Sequence, residues 1–300
     1  PYDLTGKQKI VLFQILRDMQ ESFAMTRLLQ GDVGTGKTVV AFLAVIHAIQ
    51  IAKIQCVCMA PTEILARQHF EGFTRDFGDL GIRLDLLVGS LSASEKKAAK
   101  ARLKLGETDF IIGTHALIED DVIFKNLGFV IVDEQHRFGV NQRKTLEDYF
   151  SLSGGVFPHS LNMTATPIPR TLALTFSGDQ DISILNEYPA SRKPIHTKVI
   201  PEHQREEVYR MVESEIALGG QVYWISPLVT ESETLDVANA VQTAETLRIL
   251  FPHRRIGLIH GKLKSSEKDA IMQSFYRGEI DILSSTSVVE VGVNNPNATV

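Results

Sequence analysis

Eight consecutive residues, Gly31-Asp32-Val33-Gly34-Thr35-Gly36-Lys37-Thr38, carry the pattern G-x-x-x-x-G-K-[ST]. Glycines at this spacing let the backbone curl until its N–H groups face a chain of phosphates, so that Gly34, Thr35 and Gly36 form a cradle. A helix opening at Lys37 points its positive end at the same phosphates. Lys37 is then set to neutralise the β- and γ-phosphates, and Thr38 to ligate Mg²⁺. About a hundred residues downstream, the apolar run 129–132 ends on Asp133-Glu134-Gln135-His136. A carboxylate at the C-terminal end of a parallel strand lies where ligands bind in open α/β sheets. Asp133 is therefore expected to hold Mg²⁺ through water, and Glu134 to act as base or orienting group for an attacking water. The cofactor implied is ATP with Mg²⁺. Gln8 offers a donor and an acceptor on one amide, and reads either as a contact to an adenine edge or as a solvated helical residue.

These groups need a rigid frame, and the hydrophobic pattern supplies one. Apolar strands are expected at 27–30, 54–60, 83–88, 110–113 and 129–132, alternating with helices at 37–52 and 63–77 and one opened by the Ser92/Glu95 capping box. Helix 37–52 is apolar on nearly every side and reads as buried. Phe70, Phe73 and Phe77 share one face of the next helix. Continuous apolar strands alternating with helices indicate a parallel sheet covered on both faces. The proline-bearing stretch 186–194 reads as a linker. Strands at 222–225, 256–259 and 280–284 and helices at 235–250 and 266–276 follow, with another strand starting near 298. No short internal repeat is expected, although the two halves could share an architecture.

Composition narrows the class. Of 300 residues, 44 % are apolar and 22 % charged, the balance of a globular protein, and the length suits two domains. The net charge of −5 argues against a protein that coats nucleic acid by bulk electrostatics, but a motor can grip phosphates with backbone amides and a few local cations. No apolar run reaches the length of a membrane span, and the start lacks the layout of a signal peptide, so a cytoplasmic protein or a piece of one is expected. Cys56 and Cys58 point to one face of a strand with no further metal ligands nearby, and read as core thiols.

Several segments fit one family together. Residues 31–38, 60–63, 113–115, 133–136 and 164–167 resemble motifs I, Ia, Ib, II and III of superfamily 2 helicases, in that order. Residues 261–263 and 285–296 look like motifs IVa and V. The longer strings at 133–140, 163–174 and 223–228 are similar to bacterial helicases that act on branched DNA; the transcription-repair coupling factors share some of them. The resemblance implies two RecA-like α/β domains with mainly parallel sheets, at 1–190 and 191–300, the second truncated. It implies a monomeric double-stranded-DNA translocase that remodels stalled forks and Holliday junctions, with ATP between the domains. Lys37, Asp133, Glu134 and His136 would serve hydrolysis. Pro61, Thr62, Glu63, Thr114, His115 and Thr286 would face DNA. Thr164, Thr166 and Asn294 would couple nucleotide state to DNA grip, and His136 would link hydrolysis to them.

Each residue has a plainer reading. Thr62 and Ser92 could only cap helices, His115 could be a core histidine, and Thr164 and Thr166 could be turn residues. Trp224 reads as core rather than a stacking platform, and the lysines of 96–104 as a solvated face. Asn294 stands where the family pattern has Asp. Motif VI and an N-terminal wedge domain fall outside the chain, so this stretch is expected to bind ATP–Mg²⁺ but hydrolyse it poorly. A P-loop kinase or small-molecule ATPase would explain residues 31–38 but not the second α/β half. A nucleotide switch would not need Glu134.

Overall fold

The computed structural model describes residues 3–134, 157–166, 180–190, 195–226, 233–286, 295 and 297–300. The chain divides into two compact units, Pro1–Lys193 and Pro194–Val300.

The first unit is built on seven strands: β1 Thr26–Gly31, β2 Gln55–Met59, β3 Leu84–Leu87, β4 Phe110–Gly113, β5 Leu127–Asp133, β6 His159–Thr164 and β7 Asp181–Leu185. Their order across the sheet is β3-β4-β2-β5-β6-β1-β7, and every pairing is parallel. β2 and β4 are buried at every residue, as the continuous apolar runs require of a sheet covered on both faces. Strands β6 and β7 and helix α1 (Gly6–Asp18) were not expected from the sequence. Polar His159, Ser160 and Asn162 break the apolar pattern of β6, so its partners β1 and β5 decide its state.

Helix α1 begins at a capping box in which Gln8 N donates to Thr5 Oγ1 and Thr5 N donates to Gln8 Oε1. Helix α2 runs Lys37–His47 and passes into a π turn, Ala48–Ala52, that ends on Lys53 in the left-handed region. Thr62 caps α3 (Glu63–Phe77) by accepting from Leu65 N. Phe73 and Phe77 then meet Phe42 of α2 and Phe110 of β4 in an edge-packed aromatic cluster. Such rings bury the largest apolar area per residue and lock α2 and α3 on the sheet. Helix α4 (Ala93–Leu105) opens with the Ser92/Glu95 box. The cysteines lie wholly buried in this core, and burial raises both thiols well above their usual range.

The second unit carries β8 (Val222–Ile225), β9 (Ile256–Ile259) and β10 (Ile282–Ser285) in the parallel order β8-β10-β9. Helices α5 (Arg205–Ala217), α6 (Glu233–Leu250) and α7 (Ser265–Tyr276) accompany them; α5 was not expected. Trp224 is half-buried and stacks on Tyr209 at 6.2 Å, the two rings packing against the core cluster from its edge.

The shared architecture left open for the two halves takes the form of a long repeat. Residues 83–114 and 255–286 align without a gap, pairing Arg83 with Arg255, Gly89 with Gly261, Glu95 with Glu267, Lys96 with Lys268, Gly106 with Gly278, Asp109 with Asp281 and Thr114 with Thr286. The bonds repeat as well. Asp109 accepts from Arg83 N and Asp281 from Arg255 N, while Lys96 Nζ donates to Gly89 O and Lys268 Nζ to Gly261 O. Gly106 and Gly278 end the paired helices at φ 75° and 70°. Gln55 and Gln221 extend the correspondence: each buried amide donates to the carbonyl near the end of a helix (Leu103, Phe275) and to that before the next strand (Thr108, Ile280). The two segments lie more than a hundred and fifty residues apart, and their bonds repeat along with their residue types.

Candidate functional site

Because every strand of the first sheet is parallel, all seven C-terminal ends lie on one edge, where α/β sheets bind ligands. That edge gathers residues 31–38 after β1, Thr62 after β2, Gly89 after β3, Thr114 after β4, Asp133 at the end of β5, Thr164 at the end of β6 and Tyr188 beyond β7.

The loop after β1 is held from inside. Gly34 and Gly36 have φ 81° and 84°, conformations that a Cβ disfavours. Thr35 is fully buried, and both its N–H and its hydroxyl donate to Asp32 O. Gln8, buried rather than solvated, donates from Nε2 to Thr35 O at 2.8 Å. A Cβ on Gly36 would meet that Nε2 at 2.3 Å, so the pattern's second glycine is needed for closeness as well as for φ. One donor and one lone pair of the Gln8 amide remain for a base edge beyond these two bonds. Tyr188 Oη donates to Asp32 Oδ2, and Lys7 N donates to Glu187, tying the segment after β7 to the loop and to α1.

Lys37 Nζ donates to Gly31 O at 2.7 Å. Burial pulls its pKa below the usual lysine value, while the charges of Glu134, Asp133 and Asp32 act in the opposite direction. The cation and the strand-end carboxylates therefore share one electrostatic neighbourhood. Half-buried Thr38 follows in the first turn of α2. Among the described residues, no group of three or more His, Cys, Asp or Glu side chains is gathered to hold a metal. A nucleotide-bound Mg²⁺ does not need one, since phosphates and water supply most of its octahedron and one or two protein oxygens suffice. The Thr38 hydroxyl and the Asp133 carboxylate fit that donor set.

Two bonds at the carboxylates were not read from the sequence. Asp133 Oδ2 accepts from His69 Nε2 of α3 at 2.8 Å, with both side chains about 10 % exposed. Glu134 has φ 49°, unusual without glycine, and its Oε2 accepts from Ala165 N at 3.2 Å. Glu134 itself thus touches segment 164–166, where Thr164 and Thr166 exchange a hydroxyl bond at 2.9 Å. His136, to which that link was assigned, and Asn294 lie outside the described residues.

Of the residues expected to face DNA, Pro61 is half-buried and Thr62 is exposed. The Glu63 carboxylate accepts from Ser90 N at 3.0 Å and organises the loop after β3. His115 is exposed, which removes its core reading. Thr114 and Thr286 are buried, and neither Oγ1 has a partner among the described residues. Thr286 belongs to the second unit, where it follows β10 as Thr114 follows β4. Of the lysines expected to form a solvated face, Lys97 and Lys104 are exposed, whereas Lys96 bonds Gly89 O and Lys100, its side chain 13 % exposed, pairs with Glu119 and Asp121.

The chain belongs to the DEAD/DEAH box helicase family, whose profile matches residues 5–175, and the helicase conserved C-terminal domain matches residues 203–300. Along its whole length it is similar to proteins named ATP-dependent DNA helicase RecG. It is 49 % identical over 300 residues to that of Aquifex aeolicus, covering 100 % of this chain and 37 % of that protein. It is 52 % identical over 301 residues to that of Streptococcus pneumoniae serotype 4, covering 100 % and 44 %. A solved structure of RecG bound to a three-way DNA junction superposes with a TM-score of 0.84 at 42 % identity, over 99 % of this chain and 38 % of that one. The chain thus spans less than half the length of these relatives. Both units are RecA-like α/β domains with parallel sheets. No helix among the described residues is long and apolar enough to cross a membrane.

Proposed function

We propose that this chain is the motor of an ATP-dependent translocase that moves on double-stranded DNA and remodels branched junctions, acting as a cytoplasmic monomer. The observation that carries the reading is the convergence of Lys37, Asp133 and Glu134 on one edge, with Glu134 bonded to Ala165. Lys37 and the N–H groups of Gly34 and Gly36 bind the phosphates, Thr38 and Asp133 would hold Mg²⁺, and Glu134 orients water for in-line attack. Bound Mg²⁺ supplies charge neutralisation at the phosphates. Loss of the γ-phosphate relaxes Glu134, and its bond to residue 165 passes the change to Thr164 and Thr166. His136 and Asn294 are assigned to this coupling, and Gln8 to the adenine.

The repeat gives the motor reading a physical basis. Thr114 and Thr286 occupy equivalent strand ends in two units, each with a hydroxyl short of a partner among the described residues. Two equivalent phosphate grips, one per unit, are what a nucleotide-driven stepping cycle needs. Pro61, Thr62, Glu63 and His115 line the first grip. The second lies on a half that a kinase or a nucleotide switch would not require. The test is ATP hydrolysis by the full-length protein with and without a forked duplex. A rate raised severalfold by the fork supports the motor, and an unchanged rate rejects it.

A further inference from the structure

No spacing rule marks His69, yet it sits between the two elements that carry the metal-binding oxygens. Its Nε2 donates to Asp133 Oδ2 at 2.8 Å, at the end of β5. Its ring packs edge-on against Phe42 of α2, with centroids 6.0 Å apart and planes at 83°. Helix α2 is the helix that Lys37 and Thr38 open. One buried side chain therefore registers the Asp133 strand against the Thr38 helix.

A packing role alone would be served better by an apolar ring. The surroundings of His69 are the aromatic cluster of Phe42 and Phe73, where a polar ring is costly unless it is bonded. Its bond goes to the carboxylate that faces the nucleotide site. A carboxylate offers about four lone-pair sites, and a carboxylate oxygen only accepts, so His69 takes one site by donating and leaves the others for the hydration shell of a cation. A side chain so anchored presents those sites in one orientation.

We infer that His69 is a positioning residue for the metal, acting through Asp133 and not on the nucleotide itself. The inference rests on the nucleotide site proposed above. Partners of this kind, one bond behind a metal ligand, typically change metal affinity by about 10- to 100-fold when removed.

The experiment measures binding of the fluorescent nucleotide mant-AMPPNP to the full-length protein, first in EDTA and then across a Mg²⁺ titration. His69→Phe keeps a ring and loses the donor. His69→Ala loses both, and His69→Gln restores an amide donor near the Nε2 position. The Phe and Ala variants are expected to need about tenfold more Mg²⁺ for half-maximal enhancement of binding, with affinity in EDTA within twofold of wild type. His69→Gln is expected to return close to the wild-type midpoint. Unfolded protein lowers the signal amplitude without moving the Mg²⁺ midpoint of the folded fraction, so a folding defect does not imitate the effect. Mg²⁺ curves that superimpose on wild type, or affinities in EDTA that fall in step with those in Mg²⁺, overturn the inference. Wild-type protein that binds no nucleotide at all would instead overturn the site on which it rests.

Discussion

Gln8 links the start of the chain to the phosphate loop, and replacing it with glutamate separates two roles that otherwise look alike. In the native chain its Oε1 accepts from Thr5 N at 2.9 Å and its Nε2 donates to Thr35 O at 2.8 Å. Gln8→Glu keeps the first bond and turns the second into an oxygen facing an oxygen. Thr35 is fully buried, so its carbonyl has no water to turn to. A buried polar group left unpaired costs about 1–3 kcal/mol, and the facing carboxylate adds repulsion. The loop can escape this cost only by leaving the cradle conformation, so the cost returns when phosphate binding forces it back. With about 1.4 kcal/mol per tenfold, affinity for the phosphate chain should fall roughly five- to hundredfold. Titration calorimetry with inorganic tripolyphosphate and with ATP reads the two roles apart. A brace for the loop predicts loss for both ligands, and an adenine contact adds a further loss for ATP alone. Unchanged tripolyphosphate affinity in Gln8→Glu would refute the reasoning that this amide shapes the loop.

Glu134→Gln should slow hydrolysis by about 10²- to 10⁴-fold while ATP stays bound, because the amide oxygen still accepts from Ala165 N but no longer attracts the water's proton; single-turnover kinetics checks this. Burial holds the Lys37 pKa below 10.5, and phosphate binding needs the protonated form, so affinity for ATP should begin to fall at a lower pH than an ordinary lysine would give. Lys37→Arg, charged throughout that range, should flatten the fall; equal pH profiles would reject the assignment. Gln55→Leu strands the Thr108 carbonyl and the N–H groups of Lys125 and Asn126, while Leu103 O keeps its bond from Gly106 N. It should cost about 3 kcal/mol by urea denaturation, and Gln221→Leu, which strands Ile280 O and the Asn295 amide while Phe275 O keeps Gly278 N, should cost the same order. A neutral outcome in either would break the equivalence of the two amides.

The turn at 31–38 between β1 and α2 was legible at once, because the proposed phosphate chemistry fixes residue types at fixed local spacing and the neighbouring strand and helix follow from apolar pattern. The boundaries of α3, β4, β8 and β9 were legible for the same reason. Strands β6 and β7 were not, since their apolar pattern is broken and they are stabilised by neighbours distant in sequence. Helix α5 escaped notice because a half-exposed, charge-rich helix carries little apolar signal, and α1 because exposed Ile10 and Phe13 flank buried Val11 and blur its apolar stripe.

What the sequence determined by itself is therefore the inventory: a loop for phosphates, a carboxylate pair after an apolar strand, and an alternation that can only close as parallel sheets. What the tertiary structure decided is which of those groups hold one another. The bonds of Gln8 to Thr35, Glu134 to Ala165 and His69 to Asp133 span 27, 31 and 64 residues. The last two depend on the strand order β3-β4-β2-β5-β6-β1-β7, which sets β5 between β2 and β6, and the first on the packing of α1 against α2. Hydrophobic periodicity reports which face of an element is buried, but not which element lies against it, and the function of a buried polar side chain resides in that second fact.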